Sequence, residues 1–459
     1  MQKKHLSSKV EGMNKFILSL LIASLGFFRL GTPLKAQGSL WERVDEKELS
    51  NGMKVLLFPN PKAPVVSVQV WYKVGSMDEP LGKSGLAHLT EHLMFRGTRK
   101  YGPKQFSRII QKNGGQDNAF TGRDYTAYFE NLASDRLAIA LDLEADRMTG
   151  LAVDEEKFRT ENLVVREERR LRVKDDPSAS LFEEVIAAAY KSHPYKRPIT
   201  GWMEDLEELT HEDFLSFYRT YYQPGNATLV IAGDFQPDAV LPLIEKTFGQ
   251  IPPGPLPRRY RIKEPPQETE KRVVLRREAQ LPYVVTAFHV PSFPHPDAFA
   301  LEVMSQILAG GKSSRLYHKL VYQERIALEV GADYAFSSKD PFLFFLYVQG
   351  MPDQDPQKLE ERLLRELEDW EKSPPTEEEM ERAKNQIEAS FVFSQDSVFF
   401  QAHLLGKFQT LGSWKDLEAF LPGIRSVTVS DLLRVYRTYF KGKNKTVGVL
   451  IPQSPPKEN

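Results

Sequence analysis

Thr210–Thr228, THEDFLSFYRTYYQPGNAT, and Thr428–Thr446, TVSDLLRVYRTYFKGKNKT, carry one pattern written twice. Asp213, Tyr218, Arg219, Thr220, Tyr221, Asn226 and Thr228 recur 218 positions later as Asp431, Tyr436, Arg437, Thr438, Tyr439, Asn444 and Thr446. Spacing matched over a whole helix-to-strand unit is what a duplicated domain leaves. Each copy then covers roughly 200 residues, within the usual domain range. Between the copies, Ile251-Pro252-Pro253-Gly254-Pro255-Leu256-Pro257 can continue neither a helix nor a central strand. We read 252–261 as a stiff Pro-rich linker. Working outward, Asn51-Gly52 between two short alternating runs is a hairpin signal. Val66, Val68 and Val70 alternate with Ser67 and Gln69, as in a half-buried strand. Asp135–Met148 reads as an amphipathic helix with Leu137, Leu141 and Met148 on one side. The expected fold is α+β: two homologous α/β-sandwich domains, 39–251 and 262–455, each a mostly antiparallel sheet covered by helices.

Composition narrows the function. The 459 residues hold 61 Lys and Arg against 62 Asp and Glu, a net charge of -1, which gives no broad electrostatic case for nucleic acid. There is no Cys, so disulfides, thiol nucleophiles and iron–sulfur clusters are excluded, and any metal must be held by His and carboxylates. Phe16–Phe28 is an apolar run after Lys15 and before Arg29, too short to span a bilayer. With Ala36 as the small residue before Gln37 it fits a secretory signal over 1–36, although Leu34 departs from the A-x-A pattern. Met13 is an alternative start. The expected mature chain begins near Gln37, is extracytoplasmic in the periplasmic sense, and keeps no stable membrane span; an uncleaved N-terminal anchor is the competing reading.

Gly85–Phe95, GLAHLTEHLMF, has helical periodicity and holds two His four apart with a Glu between them. His88, Glu91 and His92 fall within about 100° of arc on one helix face. Two imidazoles so placed can share a Zn²⁺, with Glu91 within reach of a water that the ion acidifies. H-x-x-E-H is the inverzincin signature. The bland alternative is a surface pair of His with a salt-bridging Glu. Further carboxylates stand in Glu155–Lys174, a charged helix. Glu161 and Glu168 share a face there but lie about 10.5 Å apart along the axis, so one ion cannot take both directly; Glu167 competes with Glu168.

Taken together, Gly75-Ser76, GLAHLTEHLMFRGT, NAFTGRDYTAYFENL, ENLVVREE and HPYKRPITGW resemble the pitrilysin/insulinase superfamily of zinc peptidases, in its mitochondrial-processing-peptidase-like bacterial branch. The resemblance runs from about Leu49 to Pro452. It implies a third zinc ligand at Glu168, an assisting acid at Glu161, and an edge strand at Asn118, Ala119 and Phe120 that pairs with an extended peptide through its backbone. Tyr125 and Tyr128 are either groove residues or core. Offset by 212, the second copy carries Ala300, Val303 and Met304 where His88, Glu91 and His92 stand, so that half has no metal site. The resemblance also implies that the second half closes a chamber over substrate, where many relatives carry an Arg and a Tyr seven apart. Here Val321 and Leu328 fill those places, and Arg315 and Tyr322 fall outside the register.

The expected function is a zinc-dependent endopeptidase on extended or unfolded peptides. Glu91 is its base and acid, Glu161 assists, and His88, His92 and Glu168 are the ligands. The expected assembly is a heteromer with a homologous subunit that carries the Arg/Tyr pair, a homodimer being the alternative. The rival function is a non-catalytic structural subunit of the same superfamily, against which the intact His88-Glu91-His92 set argues.

Overall fold

Six strands form the first sheet: β1 (Asp45–Glu48), β2 (Lys54–Pro59), β3 (Val65–Tyr72), β4 (Gln116–Thr121), β5 (Thr126–Ala133) and β6 (Ala227–Gly233). Five form the second: β7 (Lys271–Glu278), β8 (Tyr283–Val290), β9 (Ala327–Tyr334), β10 (Phe342–Gly350) and β11 (Thr446–Gln453). Their orders, β1-β2-β6-β3-β5-β4 and β7-β11-β8-β10-β9, are one topology with β1 added. Each sheet is antiparallel except for one parallel pair, β2 with β6 and β11 with β7. The duplication expected from the sequence is therefore present in the five strands the two sheets share, β1 being an addition to the first. The computed structural model describes residues 40–259 and 261–453. From Arg43 onward the chain is one compact unit, while the segment ending at Glu42 is a separate unit, described only where a 3-10 turn begins at residue 40. The expected signal, 1–36, lies outside the described residues.

Local chemistry explains why the repeated motif persists. Thr210 Oγ1 accepts from the Asp213 N–H at 3.1 Å while Asp213 accepts from the Thr210 N–H at 2.9 Å, a capping box that opens His211–Tyr221. Thr428 and Asp431 make the same pair, at 3.2 and 3.0 Å, to open Val429–Val435. Beyond each helix an Asn carboxamide closes the turn: Asn226 donates to Tyr221 O and Asn444 to Tyr439 O, both at 2.8 Å.

The first sheet packs its inner face on helices α1 (Leu86–Leu93), α3 (Leu137–Gly150), α4 (Glu155–Arg169) and His211–Tyr221; α2 (Gln105–Lys112) packs against α3 and the edge strand β4. Leu137, Leu141 and Met148 are buried in that core, as the periodicity predicts. β3 differs from its expected half-burial, because Ser67 and Gln69 are as fully buried as Val66, Val68 and Val70. The cause is an exchange of helices. Val398–Leu411, from the second half of the sequence, lies on the outer face of β3 and β6, where Gln69 Nε2 donates to Phe399 O at 3.0 Å and Trp71 Nε1 to Gln69 Oε1 at 3.0 Å. Reciprocally, α5 (Pro177–Ala189), from the first half, buries Leu181 and Val185 on the outer face of β8 and β11. Each sheet is thus finished by the other half's helix. Among the described residues no helix is long and apolar enough to cross a membrane.

Candidate metal centre

α1 begins at Gly85, whose φ of +89° and close approach to Gly201 and Thr200 O leave no room for a side chain. Ala87 N–H donates to the buried Glu79 Oε1 at 2.9 Å, which anchors the first turn. One turn of this helix sets His88 and His92 side by side, ring centroids 4.7 Å apart. α4 packs across α1 and brings up its carboxylates. One ligand atom each from His88, His92 and Glu168 lie within 4.8 Å of one another.

His92 decides how the two acids divide. Its Nδ1 faces Glu161 Oε1 at 3.0 Å and its Nε2 faces Glu168 Oε2 at 3.2 Å. Glu161, 3% exposed, gives its second oxygen to Arg96; Glu168 gives its other oxygen to Arg172 at 2.6 Å. Glu167 points away, paired with Arg170 at 2.7 Å with its side chain half exposed. The geometry therefore groups Glu168 with the two imidazoles and sets Glu161 behind His92, the carboxylate–histidine arrangement that orients a metal ligand.

Burial pushes His88 down to about 3, aided by the charges of His92 and Arg172, so its imidazole is neutral; its buried Nδ1 has no hydrogen-bond partner among the described residues. For His92, burial pulls the other way but is outweighed by the Glu161 hydrogen bond and the charges of Glu168, Glu161 and Glu91, so its proton affinity is raised. Glu91 is pushed above the usual carboxylate range by burial, against the pull of its hydrogen bond from Thr121. Two imidazoles and one carboxylate, brought within reach of one another, form a donor set that fits zinc.

Asn118, Ala119 and Phe120 lie on β4, the sheet's edge strand. Asn118 is exposed and lines a cavity of about 520 Å³ together with Glu91, His92, Phe95, Arg96 and Arg108. Its Oδ1 accepts from the Ala119 N–H at 2.9 Å. Phe120 faces the other side of the sheet, against Trp71 at 5.3 Å and His403 at 5.3 Å, where Tyr125 also packs. Tyr128 is core, its hydroxyl 3.1 Å from that of Tyr222. In the second half, Ala300, Val303 and Met304 are buried in Asp297–Ala309. Arg315 is occupied by Glu379 at 2.7 Å and by the Ser373 and Pro374 carbonyls, while Tyr322 stands 67% exposed. Sequence reasoning missed Arg96, Thr121 and Arg172. Arg96 follows His92 by four just past the end of α1, and Arg172 follows Glu168 by four in the helical turn that continues α4, a readable signal only for the second; Thr121 arrives from a distant strand and gives none.

The family described as Insulinase (Peptidase family M16) matches residues 54–201, and the one described as Peptidase M16 inactive domain matches 208–387. The zinc protease PqqE of Helicobacter pylori is 32% identical over 94% of this chain and 98% of its own length. The uncharacterized zinc protease YmxG of Bacillus subtilis is 26% identical over 85% and 94%. Among solved structures, a protease from Helicobacter pylori matches with a TM-score of 0.86 and 32% identity over 89% of this chain and 99% of that one. The periplasmic protease PqqL of Escherichia coli shares the fold, with a TM-score of 0.75 and 17% identity over 90% of this chain and 48% of that one.

Proposed function

This chain belongs to the M16 insulinase family of zinc proteases, and from that premise we propose that it is the zinc-bearing subunit of an exported endopeptidase for extended or unfolded peptides. The carrying observation is the convergence of His88, His92 and Glu168 within 4.8 Å, with Glu91 on the same helix face. When bound there, Zn²⁺ supplies Lewis-acid polarisation of the scissile carbonyl and acidifies a water. The residues do the rest. β4 offers its free edge to the peptide backbone near Asn118 and Ala119. Glu91 takes a proton from the attacking water and returns it to the leaving amine, and Glu161 keeps the His92 ring turned.

A partner of the same fold would complete the site. Val321 is half-buried and Leu328 is 48% exposed, and neither can donate a hydrogen bond to a substrate carbonyl. Arg315, the cation that could replace the missing donor within a homodimer, is held by Glu379. A second subunit bringing an Arg/Tyr pair and closing a chamber would supply that grip, on which orientation of the scissile bond depends. Export rests on the Phe16–Phe28 run with its basic flank.

Glu91→Gln tests the chemistry: zinc, measured by elemental analysis, stays near one per chain, while cleavage of a quenched fluorescent peptide is abolished. Full activity in that variant overturns the mechanism. For the assembly, the pure chain is sized by light scattering and assayed on unfolded peptides with zinc; robust turnover as a homodimer refutes the heteromer.

A further inference from the structure

Glu91 is held by only one of its two oxygens. Oε2 accepts a hydrogen bond from Thr121 Oγ1, while no protein hydrogen bond to Oε1 is found among the described residues. A half-buried glutamate has three side-chain torsions to settle, and nothing on α1 itself fixes them. Thr121, by contrast, is fixed at both ends of its strand. It is the last residue of β4, opposite Thr126 in the β5 register. Upstream, Ser107 Oγ on α2 donates to Asp117 at 2.5 Å. Downstream, Gly122 N–H closes the turn on Tyr125 O at 2.7 Å, and the Ser76 and Met77 N–H groups bond Gly122 O and Arg123 O at 3.2 and 3.0 Å. Asp124 then accepts from Tyr195 Oη at 2.6 Å and from the Lys339 N–H at 3.2 Å. The donor is rigid and the acceptor is not, so the orientation passes from strand to helix.

We propose that Thr121 is the positioning residue of Glu91: its hydroxyl holds Oε2 and turns Oε1 to the reacting water, so the strand that docks the peptide also aims the base. The inference rests on the peptidase reading above. Hydrogen bonds to a carboxylate are stronger than neutral ones, and a misplacement of about 1 Å in a catalytic group costs on the order of a hundredfold in rate. Thr121→Val removes the hydroxyl at nearly constant shape, and Thr121→Ser keeps it without the methyl.

The expected result for Thr121→Val is a kcat lower by about ten- to a hundredfold with KM within about twofold, the pattern of an interaction made only in the transition state. Zinc per chain is unchanged, and a crystal structure shows the Glu91 carboxylate displaced or in several rotamers. Thr121→Ser recovers kcat to within about threefold of the parent and restores the carboxylate's position. Full kcat in Thr121→Val overturns the proposal. So does a Thr121→Ser variant as slow as Thr121→Val, because packing of the methyl would then be the role. If the parent protein cleaves no peptide even with its partner subunit present, the peptidase reading fails separately, and an unmoved Glu91 in the Thr121→Val crystal still overturns the positioning role.

Discussion

Glu161→Gln separates a residue that binds metal from one that orients a ligand. Glu161 is almost fully buried, its Oε1 3.0 Å from His92 Nδ1 and its Oε2 on Arg96. Glutamine keeps an oxygen to accept from the His92 N–H but removes the charge that makes the ring a better donor and leaves Arg96 facing a neutral amide. Loss of such a supporting carboxylate lowers metal affinity by about ten- to a hundredfold, or about 1.4–2.8 kcal/mol. Glu168→Gln takes away one of three ligands and should abolish co-purification of zinc. The assay is competition for zinc against a chromogenic chelator at fixed pH, run on the parent and both variants with folding checked by circular dichroism. An affinity for Glu161→Gln within twofold of the parent would refute the orienting role. A loss as deep as that of Glu168→Gln would make Glu161 a ligand.

Glu79 is buried and pushed up to about 8 by burial, so the folded state prefers it neutral; the stability it contributes is complete below about pH 4.5 and drains away as pH rises towards 8. Glu79→Gln should remove that part of the slope, seen as a flatter urea-midpoint profile from pH 5 to 8 than the parent's, and an unchanged slope counts against a neutral Glu79. Gly406 lies against the Trp71 indole, where a Cβ would collide; Gly406→Ala should cost about 1–3 kcal/mol and lower the denaturation midpoint of both halves together, two separated transitions being the contrary result. Mass spectrometry of the protein from its host should find a first residue near Gln37, and an intact Met1 or Met13 would leave an anchored or unexported chain.

Most of the fold was legible because its signals are local. The capping boxes at Thr210 and Thr428 and the turn-closing Asn226 and Asn444 are side chains acting on their own neighbours, so duplication shows in the letters. His88, Glu91 and His92 were legible for the same reason, being one helical turn. Between Glu167 and Glu168 the residues alone did not choose; α4's rotation about its axis did, sending Glu167 to Arg170 and Glu168 to His92. The exchange of helices was invisible. Ser67 and Gln69 read as a solvent face because periodicity reports polarity, not what covers it, and what covers them begins some 330 residues later in sequence.

That exchange explains why a half without ligands is kept. Val398–Leu411 roofs the outer face of the first sheet, burying Gln69 and Trp71 beneath it. The loop before β10 sends the Lys339 N–H to Asp124, while Arg123 stacks on Phe342 at 4.4 Å, so the turn that follows the edge strand is held from the second half. Tyr195, from the HPYKRP stretch, completes the clasp by donating to Asp124 and accepting from the Asp340 N–H at 3.2 Å. Cutting the chain at the linker would therefore expose buried polar groups on β3 and free the end of β4 that carries Thr121. A first half alone would keep its ligand residues in sequence yet lose the fixed strand that sets Glu91.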